Sequence, residues 1–162
     1  MKKTAIALMI LLIAAAGVAG WGLTHTNLLV IGKGVQISRA DQRLEEFNAL
    51  KEAVKNQSLL GTRVKSGEIG EAGEYSYFVY TLRLKNEGLV DAEMVEVQIA
   101  PLSQDVLFYG ETGEVVIKAG ETRDVWCVLL TQGQPHPVRD IYVTYYLWGH
   151  PQEVKYTYED NS

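Results

Sequence analysis

Residues 77–100 read YFVYTLRLKNEGLVDAEMVEVQIA, and this stretch decides the fold. Apolar side chains occupy every second position of its first half, at Phe78, Tyr80, Leu82 and Leu84. Such alternation is typical of a strand with one buried and one wet face. A turn is expected at Asn86-Glu87-Gly88, after which the alternation resumes and Pro101 ends it. The stretch therefore predicts two strands, at 77–85 and 94–100.

The same period of two continues on both sides of this stretch, from residue 59 onward. Short runs of β-branched and aromatic residues alternate with glycine, asparagine and proline, which predicts further strands. These are expected at 60–65, 106–109, 115–118, 123–130, 141–148 and 153–158. Their links are too short for crossover helices, so a parallel sheet is excluded. Residues 59–162 are predicted to form an all-β, two-sheet antiparallel sandwich.

Two motifs at the turns resemble a known family. They read Asn86-x-Gly88-x-x-x-Ala92-x-x-Val95-x-Val97 and Ala119-Gly120-Glu121. This pattern is similar to that of the cell-adhesion-related and similar immunoglobulin-like domains of bacterial envelope and secreted proteins. The resemblance covers residues 75–158 and implies an immunoglobulin-like sandwich of about seven or eight strands. It also implies a module for binding, spacing or assembly at the cell surface, with no catalytic residues.

The N-terminal segment, residues 1–23, has the layout of an export signal. An uncharged run from residue 4 to 23 follows Lys2 and Lys3. Twenty helical residues span about 30 Å, the thickness of the hydrocarbon layer, and Trp21 stands where an interfacial anchor is expected. This length favours a retained anchor and a single-pass protein of the cell membrane with its C-terminal domain outside. Small residues at 14–19 leave cleavage of a signal peptide, and secretion, as the alternative.

Residues 24–58 are predicted to be a linker that contains one amphipathic helix. The linker begins with an apolar stretch at 28–31 and a flexible Gly32-Lys33-Gly34, and Ser38-Arg39-Ala40-Asp41 resembles a helix N-cap. Helical spacing then gathers one apolar stripe, formed by Ala40, Leu44, Phe47, Leu50 and Val54. We expect the stripe to pack on the protein's own sheet. The alternative is a second subunit or partner, in which Leu44 and Phe47 are the contact residues.

The last two predicted strands are unusually aromatic. Alternation places Tyr142, Tyr146 and Trp148 on one face, opposite the apolar face of the same strand. An exposed row of this kind would stack on sugar rings or anchor a protein partner. We expect instead that the helix stripe packs over the row. An exposed, coplanar row would favour a secreted module that binds carbohydrate or the cell wall.

Composition and motif searches exclude several other functions. The net charge is -5 and no basic stripe is present, which argues against nucleic acid as a partner. No motif for a nucleophile, a zinc helix or a phosphate loop occurs, so we expect no catalytic residue, cofactor or metal. Carboxylates near strand ends, among them Asp105, are expected to be a solvated rim. The single cysteine, Cys127, is expected to be a buried hydrophobe.

These observations favour a non-enzymatic, membrane-tethered extracytoplasmic module whose partner is an envelope protein or a polysaccharide. The contact surface is expected to be either the aromatic face or the helix. A small enzyme would need converging carboxylates or histidines, which the spacing of such residues does not indicate.

Overall fold

The structure is a computed structural model that describes residues 2–24, 28–111, 114–133 and 138–159. Within these residues, an apolar N-terminal helix and one further helix precede most of the strands, and eight strands form two antiparallel sheets. The helices are α1 (Lys2–Thr24) and α2 (Leu44–Lys55), with 3-10 turns at Ala40–Arg43 and Ala72–Glu74. The strands are β1 (Leu28–Arg39), β2 (Thr62–Arg63), β3 (Tyr75–Asn86), β4 (Glu93–Ile99), β5 (Asp105–Gly110), β6 (Thr122–Gln132), β7 (Val138–Leu147) and β8 (His150–Glu159).

The two sheets pack face to face. One has the strand order β1-β3-β6-β5-β2 and the other the order β4-β7-β8. Their inner faces share one apolar core, which includes Phe78, Leu82, Leu129, Ile141 and Val143. These are the positions that alternation places inward, because successive strand residues point to opposite faces. The predicted all-β sandwich is confirmed.

The prediction that residues 28–34 belong to a linker, with Gly32-Lys33-Gly34 flexible, is wrong, because these residues belong to a strand. β1 pairs with β3 from Leu28↔Asn86 to Arg39↔Ser76, with an irregularity between Val30 and Gly32. Leu28 is buried in the shared core. Two glycines in seven residues weaken the β signal of the sequence. An edge strand needs only one neighbour, and β3 supplies a long, regular template for it.

The strand predicted at 115–118 is not formed as such. Ile117 makes a single bridge to Ala92, and the Val95 N–H donates to the Val115 carbonyl at 2.9 Å. The segment therefore lies beside the first part of β4 without extending the sheet, although Val115 and Ile117 are buried as alternation predicts.

Helix α2 lies on the outer face of the five-stranded sheet. Phe47 and Leu50 are buried in a second apolar cluster with residues of β3, β5 and β6, among them Tyr77 and Leu130. Ser38 lies within β1 and does not cap the helix. The 3-10 turn directly precedes the helix instead. The stripe packs on the protein's own sheet, as the favoured alternative predicts. As a result, the first half of β3 is buried on both faces.

Candidate functional site

The aromatic residues of β7 lie on the outer face of the three-stranded sheet, where α2 does not reach. The expectation that the helix stripe covers them is wrong. The helix directly follows β1, an edge strand of the other sheet, and so it folds back onto that sheet. Tyr142 is half-buried, while Tyr146 is 38% exposed and Trp148 is 69% exposed. The outer face of β7 is therefore open in the described part of the chain.

These three side chains do not form a continuous platform. Tyr142 and Tyr146 are four strand residues apart, about 13 Å, with Thr144 between them. Trp148 lies beyond the strand in a turn with a φ of 53°, so alternation no longer governs its direction. The ammonium of Lys155 lies 5.8 Å from the centre of the Tyr142 ring. The face thus carries separate aromatic residues among polar neighbours.

The polar neighbours of Tyr142 form their own network. Lys155 Nζ contacts Asp140 Oδ2 at 2.8 Å, and the Thr157 hydroxyl donates to Asp140 Oδ1 at 2.8 Å. The bonds from Lys155 and Thr157 hold the pKa of Asp140 below its usual value. Each oxygen of this carboxylate thus has a partner on the sheet surface.

The two helix residues proposed as contacts have opposite surroundings. Phe47 is 2% exposed, and its ring centre lies 5.6 Å from that of Tyr75. Leu44 is the first residue of α2 and is 53% exposed. Phe47 is therefore a core residue in this structure, whereas Leu44 stays a surface candidate.

A buried ion pair links the two sheets, and sequence reasoning missed it. Arg139 on β7 donates from Nη1 and Nη2 to the two carboxylate oxygens of Asp105 on β5, at 2.9 and 3.0 Å. The side chains are 1% and 0% exposed, so the expectation of a solvated rim at Asp105 is wrong. A signal was present, because Arg139 has the same parity as the inward residues Ile141 and Val143.

Tyr80 adjoins this ion pair. Burial raises the pKa of Tyr80 to about 12, with Arg139 opposing the rise through charge and a hydrogen bond. Nε of Arg139 has no hydrogen-bond partner among the residues that the structure describes. The cluster has one cation, one anion and a neutral phenol, and it joins β5 to β7 across the core.

Cys127 lies in the core between the sheets. It is fully buried, and burial raises the pKa of its thiol to about 12. A protonated, inaccessible thiol neither attacks a substrate nor binds a metal. The expectation of a buried hydrophobe agrees with this placement.

One groove opens at the side of the sandwich where β4 faces β2 and β5. It has a volume of about 600 Å³. Its apolar lining includes Leu60, Met94, Val97, Phe108 and Trp126. The Trp126 ring packs edge-on against the Tyr109 ring, with 6.5 Å between the two ring centres. Sequence reasoning had no means to find this groove, since it depends on which strands lie at the sheet edges.

The charged residues that line the groove are all acidic: Glu96, Glu111 and Glu114. Glu111 is paired with Arg123 at 3.1 Å. Glu96 and Glu114 are exposed, and no ion pair holds either of them in the described part of the chain. The groove is therefore an apolar channel with negative charge at its rim.

The outer edge of β4 runs along this groove. Within the described residues β4 is the outermost strand of its sheet, and the segment at 115–117 lies beside only its first part. The Ala100 N–H donates to the Asp140 carbonyl at 2.9 Å. Because antiparallel pairs alternate, Val97 and Ile99 then direct their N–H and C=O groups away from β7. This edge can accept another strand.

No three histidine, cysteine, aspartate or glutamate residues come together as a possible metal site within the described ranges. His150 is exposed at the start of β8. His25 and His136 lie outside the described residues.

The two turn motifs of the sequence are in direct contact. Asn86 is 2% exposed, and its side-chain amide donates to the carbonyls of Val90 and Ile117 at 2.8 and 2.9 Å. The Gly120 N–H donates to the Asn86 carbonyl at 2.9 Å, from a φ of 77° that suits glycine. The asparagine therefore fastens two loops at one end of the sandwich.

The N-terminal helix is separate from this packing. The segment Thr4–Trp21 is long and apolar enough to cross a membrane, and none of it is buried. Its length and composition suit a membrane anchor or a signal sequence. The expectation that the segment is retained as an anchor, and not cleaved, stays a prediction.

Fold and surface together define an antiparallel β-sandwich that follows an apolar N-terminal helix and bears an apolar side groove. No family model and no curated protein matches the sequence. Among solved structures, the chain is similar to a FixG-related protein from Vibrio parahaemolyticus, with 14% identity and a TM-score of 0.36. The match covers 80% of this chain and 97% of the other. A likeness this weak carries no argument about function, and the cell-adhesion-related resemblance stays a prediction.

Proposed function

We propose that the protein is a non-enzymatic, membrane-tethered module of the cell envelope that binds an extended segment of a partner protein along β4. The observation that carries this proposal is the side groove with its free strand edge. An added strand gains main-chain hydrogen bonds from the edge and places alternate side chains in the apolar channel. The acidic rim of Glu96 and Glu114 favours a segment that alternates apolar and basic residues.

The tether rests on the apolar surface of α1. A helix that exposes apolar residues on every side is costly in water and stable in hydrocarbon. The lysines at positions 2 and 3 favour the topology in which the sandwich lies outside the cytoplasm.

The tether is tested by expressing the full chain with a C-terminal tag and fractionating the cells. We expect a product of full-length mass in the membrane fraction, released by detergent but not by high salt. A soluble product that lacks the apolar segment would overturn the tethered form.

The groove is tested by titrating peptides into the full chain in detergent micelles. The probe is a short peptide of alternating valine and lysine, and its match in length alternates valine and glutamate. We expect saturable binding of the lysine peptide, weaker at high salt because the charge contribution is screened.

Two changes probe separate parts of that binding. N-methylation of the peptide backbone removes the donors that pair with Val97 and Ile99, and we expect it to abolish binding. The double variant Glu96→Gln/Glu114→Gln should weaken binding of the lysine peptide and relieve the discrimination against the glutamate peptide. Equal binding of both peptides to the unchanged protein contradicts the proposed partner chemistry.

The alternative function is binding of carbohydrate or cell-wall polysaccharide by Tyr142, Tyr146 and Trp148. The absence of a covering helix is the observation that favours it. The spacing of the three side chains argues for isolated contacts, so the expected affinity is low. A polysaccharide pull-down with the full chain, compared with Tyr146→Ala/Trp148→Ala, tests it.

A further inference from the structure

The sheet register brings several strand ends to one end of the sandwich. Leu28, where β1 begins, pairs with Asn86, where β3 ends. The hydroxyl of Tyr145, near the end of β7, is hydrogen-bonded to the backbone of Leu28. We call this the proximal end, formed by the start of β1, the loop 87–91 and the turn 148–149. It is the end that follows the apolar helix in the chain.

The proximal end exposes large apolar side chains. Trp148 is 69% exposed and Leu89 is 64% exposed, and both are at loop tips. Leu29 and Ile31 at the start of β1 are 39% and 50% exposed. The described residues at the opposite end expose Glu71, Glu74, Pro101 and Ser103, and also the apolar Leu44 and Val138, which are 53% and 42% exposed. The apolar tips of the proximal end, at Trp148 and Leu89, are the more exposed of the two sets.

Turn chemistry does not explain Trp148. Leu147 pairs with His150, so Trp148 and Gly149 are the two turn residues, with φ values of 53° and 74°. A two-residue hairpin turn with both φ angles positive favours asparagine, aspartate or glycine at its first position. A tryptophan there is locally unfavourable, and such departures are characteristic of positions under another requirement.

The loop that presents Leu89 is held firmly. The Gly88 N–H donates to Oδ1 of Asn86 at 2.9 Å, and the Asn86 amide donates to the Val90 carbonyl at 2.8 Å. Asn86 itself is buried. The loop therefore holds its shape around Leu89 without burying that side chain.

Charges at the proximal end are largely matched. Lys85 pairs with Glu87 at 2.8 Å. The carboxylates of Asp91 and Glu121 accept bonds from the Ala119 and Lys118 N–H groups, each at 2.9 Å. These bonds hold the two carboxylates against their own loops, away from the exposed tips at Leu89 and Trp148.

The connection to α1 limits the distance between this end and the membrane. Helix α1 ends at Thr24 and β1 begins at Leu28. Four residue steps span at most about 14 Å in an extended chain. If α1 crosses the membrane, the proximal end stays within that reach of its outer end.

We propose that the proximal end rests on the bilayer, with Trp148 and Leu89 inserted among the lipid headgroups. Tryptophan is the residue that prefers this interface, because its ring is apolar and its N–H is polar. The inference rests on the proposed retention of α1. Docking would fix the orientation of the sandwich, with its strands and the side groove along β4 rising away from the membrane surface.

The test uses fluorescence of the full chain in vesicles of phosphatidylcholine and phosphatidylglycerol. The variant Trp21→Phe/Trp126→Phe leaves Trp148 as the one tryptophan, since the chain has three. Its matched control is Trp21→Phe/Trp148→Phe, which leaves Trp126 on the outer face of β6, 37% exposed. A lipid with a nitroxide near its headgroup serves as the quencher. We expect quenching of Trp148 to be several-fold stronger than quenching of Trp126.

A second variant guards against altered folding. Trp148→Asn suits the turn and keeps Trp21 and Trp126, so we expect it to fold and to lose the share of quenching that Trp148 contributes. Intact mass and detergent extraction are measured on every sample.

Each outcome is distinct. Full-length, membrane-bound protein in which Trp148 and Trp126 are quenched equally overturns the docking and leaves the tether in place. The same result with Trp148 shielded from acrylamide means that another protein copy covers it, and this also overturns the docking. A shortened, soluble product overturns the tether, and the docking with it.

Discussion

Two arginine–aspartate pairs of nearly the same geometry lie in opposite surroundings. Arg139 and Asp105 join the two sheets, at 2.9 and 3.0 Å, with side chains 1% and 0% exposed. Arg83 and Asp124 face each other across β3 and β6, at 2.7 and 2.8 Å, with side chains 58% and 46% exposed. Water can replace the second pair's bonds and cannot reach the first.

The difference in burial gives the two pairs different roles in stability and in the choice of one packing. An exposed pair contributes little, because each partner is well solvated when alone. In a buried pair the attraction roughly offsets the cost of desolvation, so the net contribution to stability is small. Loss of one partner, however, leaves the other charge buried without a counter-charge. The inner pair therefore penalises any arrangement of the two sheets that separates β5 from β7. We expect it to select one packing of the sandwich.

The largest effect is expected from Asp105→Ala. Removal of the carboxylate leaves the Arg139 guanidinium buried without a counter-charge, a change that typically costs about 3–5 kcal/mol. Since whole domains are stable by about 5–15 kcal/mol, much of the sandwich's stability would be lost. The measurement is urea unfolding of the full chain in detergent micelles, followed by circular dichroism.

The control is Asp124→Ala, which makes the same change at the exposed pair and should leave the unfolding midpoint nearly unchanged. Alkylation of Cys127 gives a second readout, because this thiol lies between the sheets. Its reaction at pH 8 is expected to be slow in the unchanged protein and much faster in Asp105→Ala. Equal midpoints for the two aspartate variants would contradict the comparison.

A smaller effect is expected when both inner partners are replaced together. Asp105→Leu/Arg139→Met removes both charges and keeps apolar volume in the core. The Leu102 N–H, which donates to Asp105 at 2.6 Å, loses its acceptor, at a cost of about 1 kcal/mol. We expect stability within about 2 kcal/mol of the unchanged protein. A deficit as large as that of Asp105→Ala would show that packing, and not the stranded charge, is responsible.

The sequence predicts the strands that form the shared core better than the segments that connect them. Alternation identifies the buried faces of β3, β6 and β7 because a period of two follows from strand geometry alone. It fails at β1, where Gly32 and Gly34 dilute the pattern and pairing with β3 supplies the missing preference. That one error also misplaces α2, since the outer face on which a helix folds depends on the strand it leaves.

The candidate surfaces were less predictable still. Tyr142 and Tyr146 lie on one face of β7, as alternation predicts, whereas Trp148 lies in the turn that follows. The exposure of this face depends on where α2 packs, which is a long-range result. The side groove exists only because β4 and β2 are edge strands. The inner ion pair needs Arg139 and Asp105 on facing sheets, and composition alone does not indicate it.

A moderate effect of opposite sign is expected at the exposed turn. Trp148→Asn replaces a residue strained at a φ of 53° by one that tolerates this conformation. The expected gain in stability is about 1 kcal/mol. It is measured by thermal unfolding in detergent, away from a bilayer. Trp148→Ala is the control, since it removes the ring but keeps the strain, and it should gain less. A loss of stability in Trp148→Asn would mean that the indole packs on the domain.

The smallest effect concerns the exposed pair, through its dependence on pH. A hydrogen bond from Arg83 holds the pKa of Asp124 below its usual value. A carboxylate whose pKa is lower in the folded state stabilises the fold at any pH above its unfolded pKa, which is about 4 for aspartate. That contribution disappears as the pH falls through the lower, folded value. We therefore expect Asp124→Asn to reduce stability slightly at pH 7 and not at all in strong acid.

The matched measurement is the difference in unfolding midpoint between Asp124→Asn and the unchanged protein, at low and high salt across this range of pH. Salt should shrink the difference at pH 7, because an exposed pair is screened. The buried pair should respond to salt much less, so the same titration on Asp105→Ala separates the two regions. A salt-insensitive difference at Asp124 would mean that its carboxylate acts through the strand pairing of β3 and β6 and not through charge.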